Sequence, residues 1–233
     1  MRFAVDEQVF AKLEQVCFGV VVARGINNTR RSPEIDRLLL QSIQMVQNRF
    51  QNEKVKTAAE ILPYRQAFSL LRINPNKYMS SIEAMASRLE KKKEFPHINP
   101  VVDLGNAISL KYLVPIGAHD LSSTQGDIQV RFSRNGDIFI PFGAAEQEVL
   151  DAGELIYSAG NLVKTRRWIW RQSEQGKITA DSSKVFFPID GFIAENDDRV
   201  LQARDELAKL LARLFSCEVQ VGWVDKKNPV MDL

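Results

Sequence analysis

Apolar residues in the first half of the chain recur at helical spacing. Val9, Phe10, Leu13 and Val16 share one face, which predicts a short amphipathic helix over residues 6–16. Ser32-Pro33-Glu34 supplies in succession a capping hydroxyl, a proline where no amide donor is needed and an early acid. A helix starts there and runs to about Phe50, burying Ile35, Leu38, Leu39, Ile43 and Val46. Residues 55–73 read as a helical pair interrupted near Pro63, with Tyr64, Phe68 and Leu71 on one side. Residues 77–93 read as a further helix whose RLEKKKE end is solvated, since cations suit a helix C-terminus. Between the first two helices, the β-branched run at 17–24 has the composition of a buried strand. The turn after it is bracketed by Arg24, Arg30 and Arg31, which are either phosphate ligands or solvated loop charges.

The stretch NPVVDLGNAISLKYLVPIGAHDL, residues 99–121, joins the two halves. Asn99-Pro100 is a helix start, and Val101, Leu104, Ile108 and Tyr112 form its buried face. Asp103, Asn106 and Ser109 recur every third residue and make a polar stripe. Pro115 ends the helix, and a small-residue turn delivers His119 and Asp120 just beyond it. Such a segment either lines a pocket or is structural.

After Asp120 the period becomes two. Residues 127–132 alternate Ile128, Val130 and Phe132 with polar positions, and Asn135-Gly136 is a hairpin signal leading into residues 138–141. A further strand pair flanks Ala159-Gly160, and residues 185–189 make another strand, placed near an edge by Pro188. An amphipathic helix over 197–215 buries Val200, Leu201, Leu207, Leu210, Leu211 and Leu214, and a last strand covers 217–224. Helices at both ends of an antiparallel β centre argue an α+β fold in a single unit spanning 1–233.

The pattern V-D-x-x-N-x-x-x-L-x-x-x-x-P-x-x-A-x-D-L falls without a gap on Val102, Asp103, Asn106, Leu110, Pro115, Ala118, Asp120 and Leu121. It continues through Gly126, Ile128, Val130, Arg131, Gly136 and Gly143. This stretch resembles the B3/B4 domain, the central module of the bacterial phenylalanyl-tRNA synthetase beta subunit. The resemblance implies an antiparallel β sandwich of unusual topology, or a partly open barrel, with helices packed outside. It implies a tRNA or aminoacyl-tRNA partner and, as activity, hydrolysis of mischarged aminoacyl-tRNA in trans. One departure bears on that activity: the family usually has histidine where this chain has Gly117, and His119 stands two positions on in place of a family aromatic. The departure favours the alternative, a non-catalytic module that binds an RNA end, an amino acid or a small anion.

Composition narrows the field. The 233 residues are 45% apolar, ordinary for a globular fold. No run of about 18 apolar residues is present, and acids sit near the N-terminus where a signal peptide needs an apolar core. The expectation is a cytoplasmic protein without membrane contact. Two histidines and the distant Cys17 and Cys217 make no metal spacing, so neither metal nor cofactor is expected and both thiols are read as free. No nucleotide-binding glycine loop or nucleophile elbow is visible, which excludes a complete aminoacyl-tRNA ligase.

Net charge is only +2, but five cations against Glu174 leave +4 over residues 164–177, just after the acidic run Glu146, Glu148, Asp151 and Glu154. Within KTRRWIWRQ, an extended conformation puts Arg166, Trp168 and Trp170 on one face and Thr165, Arg167 and Arg171 on the other. The tryptophans are either a stacking platform for bases or core, and the arginines either grip phosphate or pair with the acidic run. The candidate catalytic residues are therefore His119, Asn106 and Thr165. The candidate substrate-binding residues are Asp120, Arg131, Arg166, Arg167, Trp168, Trp170 and Arg171. Glu154 is a possible general base only if it faces the pocket, and His97 is given no role.

Overall fold

The apolar run after the first helix lies at the centre of the architecture because both of its faces are covered. In the computed structural model, which describes residues 1–29 and 32–233, the elements in chain order are as follows. The N-terminal part contributes β1 (Arg2–Val5), α1 (Glu7–Lys12), β2 (Val16–Arg24), α2 (Pro33–Arg49), α3 (Leu62–Leu70) and α4 (Ser81–Glu90). Then come α5 (Pro100–Tyr112), β3 (His119–Asp120), β4 (Ile128–Phe132), β5 (Asp137–Phe139), β6 (Glu148–Leu150) and β7 (Leu155–Ala159). The chain ends with β8 (Leu162–Arg166), β9 (Arg171–Gln172), β10 (Lys184–Phe192), α6 (Asp197–Phe215), β11 (Glu218–Val224) and β12 (Val230–Asp232). The phosphate reading of Arg30 and Arg31 lies outside the described residues.

The strands form two sheets, ordered β12-β1-β4-β7-β8-β5-β6 with β9 beside β8, and β11-β2-β10-β3. Neither closes into a barrel among the described residues. Pairing is antiparallel except for β1 with β4 and β5 with β8. Phe18, Val20 and Val22 of β2 pack toward the first sheet, where the Phe3 ring lies 5.6 Å from Phe18 and 5.0 Å from Phe186. Val21 and Ala23 pack the other way, with Leu104 and Ile108 of α5 and Val200, Leu207 and Leu211 of α6. Each buried Val or Phe is worth roughly 1.5–3 kcal/mol, so neither face of β2 tolerates charge. Gly191 lets α6 approach: a Cβ there would lie 2.3 Å from Val200 Cγ2. Among the described residues no helix is long and apolar enough to cross a membrane.

The local signals around α5 act as expected. The Asn99 side chain accepts from Val102 N at 3.1 Å, and Leu113 ends the helix in a left-handed conformation at φ 53°. The helix read over 77–93 is shorter, because the Ser80 hydroxyl caps it by accepting from Glu83 N. Pro188 does not put β10 at an edge. β2 flanks β10 along its length, and the other side is met by β3 and by an Ile116–Ile189 bridge, with the proline between the two.

The Asn135-Gly136 turn forms, with Gly136 at φ 93°, but it closes no hairpin. β4 pairs with β1 and β7, whereas β5 pairs with β6 and β8, so the β7–β8 hairpin sits between them. Arg131 ties this corner together. Its guanidinium meets both oxygens of Asp137 at 2.7 and 2.8 Å and donates to the Gly160 carbonyl at 2.7 Å. Arg131 is 3% exposed. Its expected role in substrate binding therefore gives way to a structural one: the charge is already spent on a buried partner.

Candidate active site

The segment after α5 is laid against β10 by backbone bonds. Gly117 N donates to the Pro188 carbonyl at 2.9 Å and Asp190 N to the Pro115 carbonyl at 3.1 Å, while Ser109 Oγ, donating to the Val114 carbonyl at 2.6 Å, fixes the start of the segment to α5. β3 then pairs His119 with Phe186 and Asp120 with Val185. The polar stripe of α5 takes no part in the cleft described below; Asp103 faces a separate surface cavity with Asp36 and His97. Asp103 accepts from Ile98 N at 2.9 Å, Ser109 is spent on Val114, and Asn106 is half-buried apart from the cleft described below. Asp120 is likewise occupied, accepting from Ser122 N at 2.7 Å and from Ser182 Oγ at 2.8 Å.

Residues 164–172 are not one extended strand. β8 ends at Arg166, a turn covers 167–170, and β9 returns antiparallel to pair Arg171 with Arg166. Arg167 and Trp168 both take positive φ, 48° and 58°, a conformation bulky residues rarely adopt. Tertiary contacts hold it. Trp168 N donates to Leu155 O at 2.6 Å, Ser81 N donates to Ile169 O at 2.9 Å, and the Trp168 indole is fully buried. The alternation that put both tryptophans on one face is thereby broken: Trp168 is core, and Trp170 is half-buried at the surface.

A small cleft of about 90 Å³ opens between these two segments. Gly117, His119, Tyr157, Thr165, Trp168, Trp170, Arg171, Gln172 and Asp190 contribute to its lining. Gln172 Nε2 donates to the Ala118 carbonyl at 2.6 Å, joining the two walls. Of the expected site residues, the fold thus brings together His119, Thr165, Trp168, Trp170 and Arg171, and leaves Asn106, Asp120, Arg131, Arg166 and Arg167 outside the cleft.

The residue that sequence reasoning missed is Asp190. It lies on β10, 2% exposed, with Oδ1 accepting from Tyr157 Oη at 2.6 Å and from Trp168 Nε1 at 2.7 Å. Oδ2 has no hydrogen-bond partner among the described residues. Burial pushes this carboxyl up to about 7, against the pull of its two donors. A lone acid in the apolar run KVFFPIDGF was the available signal, because a buried carboxyl without a cation demands an explanation.

His119 lies between the sheets, its ring stacked 5.8 Å from Tyr157 and 6.0 Å from Phe186. Burial, reinforced by the Lys164 ammonium, lowers it to about 3, so the imidazole is neutral at pH 7. Nδ1 is buried without a partner, which favours the tautomer with its proton on Nε2. A Cβ at residue 117 would sit 3.2 Å from that Nε2. The ring therefore reaches the space beside Gly117 from two positions along the chain.

The two shifts act on stability in opposite directions. The folded value of His119 is below its unfolded 6.5, so its contribution is whole above about pH 6.5 and is lost as pH falls toward 3. The folded value of Asp190 is above its unfolded 3.8, so its contribution is whole below about 3.8 and is lost as pH rises to 7. Asp190→Asn is accordingly expected to stabilise the protein at pH 8, by up to about 4 kcal/mol for roughly three pKa units, and to leave it unchanged at pH 4. Urea midpoints at the two pH values measure this; a pH-independent difference would rule out a buried, weakly acidic carboxyl.

Charge at this face is largely internal. Arg166 Nε meets Glu154 at 2.8 Å and its fork also pairs with Glu148, while Arg167 meets Glu154 at 3.3 Å. Lys177 pairs with Glu174, and Lys164 is buried. Of the five cations in 164–177, only Arg171 is exposed without a carboxylate partner among the described residues. A separate cluster at the start of α5, Asp36, His97 and Asp103, brings ligand atoms within 4.8 Å of one another. Asp36 and Asp103 both lie in helix first turns, where the dipole disfavours a cation, and the cluster stands apart from the cleft.

The family profile of the B3/4 domain matches residues 63–218. The chain belongs to the B3/4 domain family. In structure this B3/4 protein is similar to an N-terminal fragment of the phenylalanyl-tRNA synthetase beta subunit from Pyrococcus horikoshii, with a TM-score of 0.51 at 12% identity. The similarity covers 93% of this chain and 49% of the fragment, so the chain spans about half of that fragment's length. At that identity it is the fold that is shared. No curated protein matches the sequence. The match to this B3/4 chain begins at Pro63, so β1, α1, β2 and α2 lie ahead of the matched residues.

Proposed function

We propose that the cleft holds the aminoacylated end of a tRNA and hydrolyses the ester there, with Asp190 as general base. The observation that carries this reading is a buried carboxyl with one free oxygen, held near 7 in a cleft beside a neutral imidazole. In the reaction, Asp190 takes a proton from water as the water oxygen bonds to the ester carbonyl carbon. The tetrahedral oxyanion then collapses, the bond to the ribose oxygen breaks, and that oxygen recovers the proton from Asp190. The products are a free amino acid and an uncharged tRNA. His119, with its proton on Nε2, donates a hydrogen bond to the oxyanion rather than acting as base: a group near 3 gives little drive for removing a proton from water. Thr165, also in the lining, is a further polar side chain able to orient the water. The likeness to a phenylalanyl-tRNA synthetase subunit supports an aminoacyl-tRNA as the ligand.

The alternative, a binding module without chemistry, rested on Gly117. The His119 imidazole supplies the space beside that glycine, which weakens the case for a missing contact. The ligand class is tested with a non-hydrolysable aminoacyl-adenosine amide. The indole resonances of Trp168 and Trp170 are expected to shift on titration and that of Trp223 to stay. Saturable binding that moves only Trp223, or none of the three, would refute the cleft as the binding site.

A further inference from the structure

Trp168 is fully buried and cannot stack a base, yet a second ring stands beside Trp170 that the chain order hides. Tyr78, just ahead of α4, packs edge-to-face on Trp170 with centroids 4.8 Å apart at 74°. Both rings are half-buried. The Arg167 guanidinium lies 4.1 Å from the Tyr78 centroid and 4.7 Å from that of Trp170, and Glu154 neutralises it from the other side. Two further cations flank the pair: Lys77 Nζ at 5.2 Å from Tyr78 and Arg171 at 5.9 Å from Trp170. Lys77 and Arg171 are exposed and have no carboxylate partner among the described residues.

We infer that Tyr78 and Trp170, flanked by Lys77 and Arg171, form a seat for the terminal nucleobase and adjoining phosphate of a single-stranded RNA end. The inference rests on the reading of the cleft as an RNA-ester site and adds where the nucleic acid is held. Packing alone accounts for Arg167, whose charge is matched, but not for two unmatched, exposed cations held over two half-exposed rings. An aromatic face takes any base, and a neighbouring cation takes the phosphate that follows it. Trp170 and Arg171 also line the cleft, so a base seated there brings its ribose to the cleft mouth. The electrostatic work expected of three arginines thus falls to Arg171 and to Lys77, a residue ninety-four positions away.

The experiment uses a fluorescent five-nucleotide single-stranded RNA and the whole chain. Tyr78→Leu and Trp170→Leu are each expected to bind it roughly 5- to 100-fold more weakly, the loss typical of one stacked base. Lys77→Ala and Arg171→Ala, at exposed positions, are expected to lower the salt slope of binding by about one each. Trp170→Phe keeps a ring, so it reads stacking without risking the fold: RNA should quench tryptophan emission in the wild type and not in this variant. Equal affinity in both leucine variants, unchanged salt slopes, or quenching that survives Trp170→Phe would each overturn the seat. Absence of RNA binding by the folded wild type would overturn it together with the reading it rests on. RNA that binds through these rings without ester cleavage would sink the hydrolytic reading alone.

Discussion

Asp190→Asn is expected to lose ester hydrolysis by about 10²–10⁴-fold with RNA affinity unchanged, the range general-base catalysis commands. The substitution keeps the shape, and the asparagine oxygen can still accept from Tyr157 and Trp168, whose bonds to Oδ1 are 2.6 and 2.7 Å. What disappears is a group able to hold a proton. The pH profile gives a second reading of the same role. Because burial places the carboxyl at about 7, wild-type kcat should climb with pH up to that value and level off above it. The residual rate of the variant should show no such limb. A variant within a few-fold of the wild type at pH 7.5 would remove Asp190 from the chemistry.

Arg131→Ala is expected to cost about 3–5 kcal/mol of stability, the range for breaking a buried ion pair from one side. Asp137, 3% exposed, would be left as an uncompensated charge, and the Gly160 carbonyl would lose its donor. Replacing both partners, Arg131→Met with Asp137→Leu, should recover much of the loss because no charge is then stranded. Urea unfolding at pH 7 measures both. A loss below about 1 kcal/mol for the single variant, with RNA affinity falling instead, would return Arg131 to the substrate-binding role its motif suggested.

The parts of this fold that can be read from the chain are those set by local chemistry. Asn99-Pro100 and Pro115 bracket α5 because a cap and two prolines act within a few residues. The 3.6-residue period of α6 and the apolar run of β2 likewise need no knowledge of partners. The candidate site is less legible because its residues meet through the sandwich. Asp190 and Tyr157 come from different sheets, and the carboxyl looks like a strand end until burial is known. The W-I-W alternation imitates a strand, and it takes tertiary contacts, those of Trp168 with Leu155 and Asp190 and of Ile169 with Ser81, to hold two bulky residues at positive φ. The Asn-Gly turn was visible, but the partners of its flanking strands were not, since β7 and β8 come later in the chain and part β4 from β5. The acids opposite Arg166 were present in the sequence as Glu148 and Glu154, yet a charge run does not say which cation it will neutralise.

Hydrolysis of an aminoacyl ester of RNA in the cleft around Asp190 is measured most directly by release of radiolabelled amino acid across a panel of correctly and wrongly charged tRNAs. Release well above the spontaneous rate is expected from at least one aminoacyl-tRNA, abolished by Asp190→Asn. Folded wild-type protein that leaves every member of the panel at its spontaneous rate would contradict it.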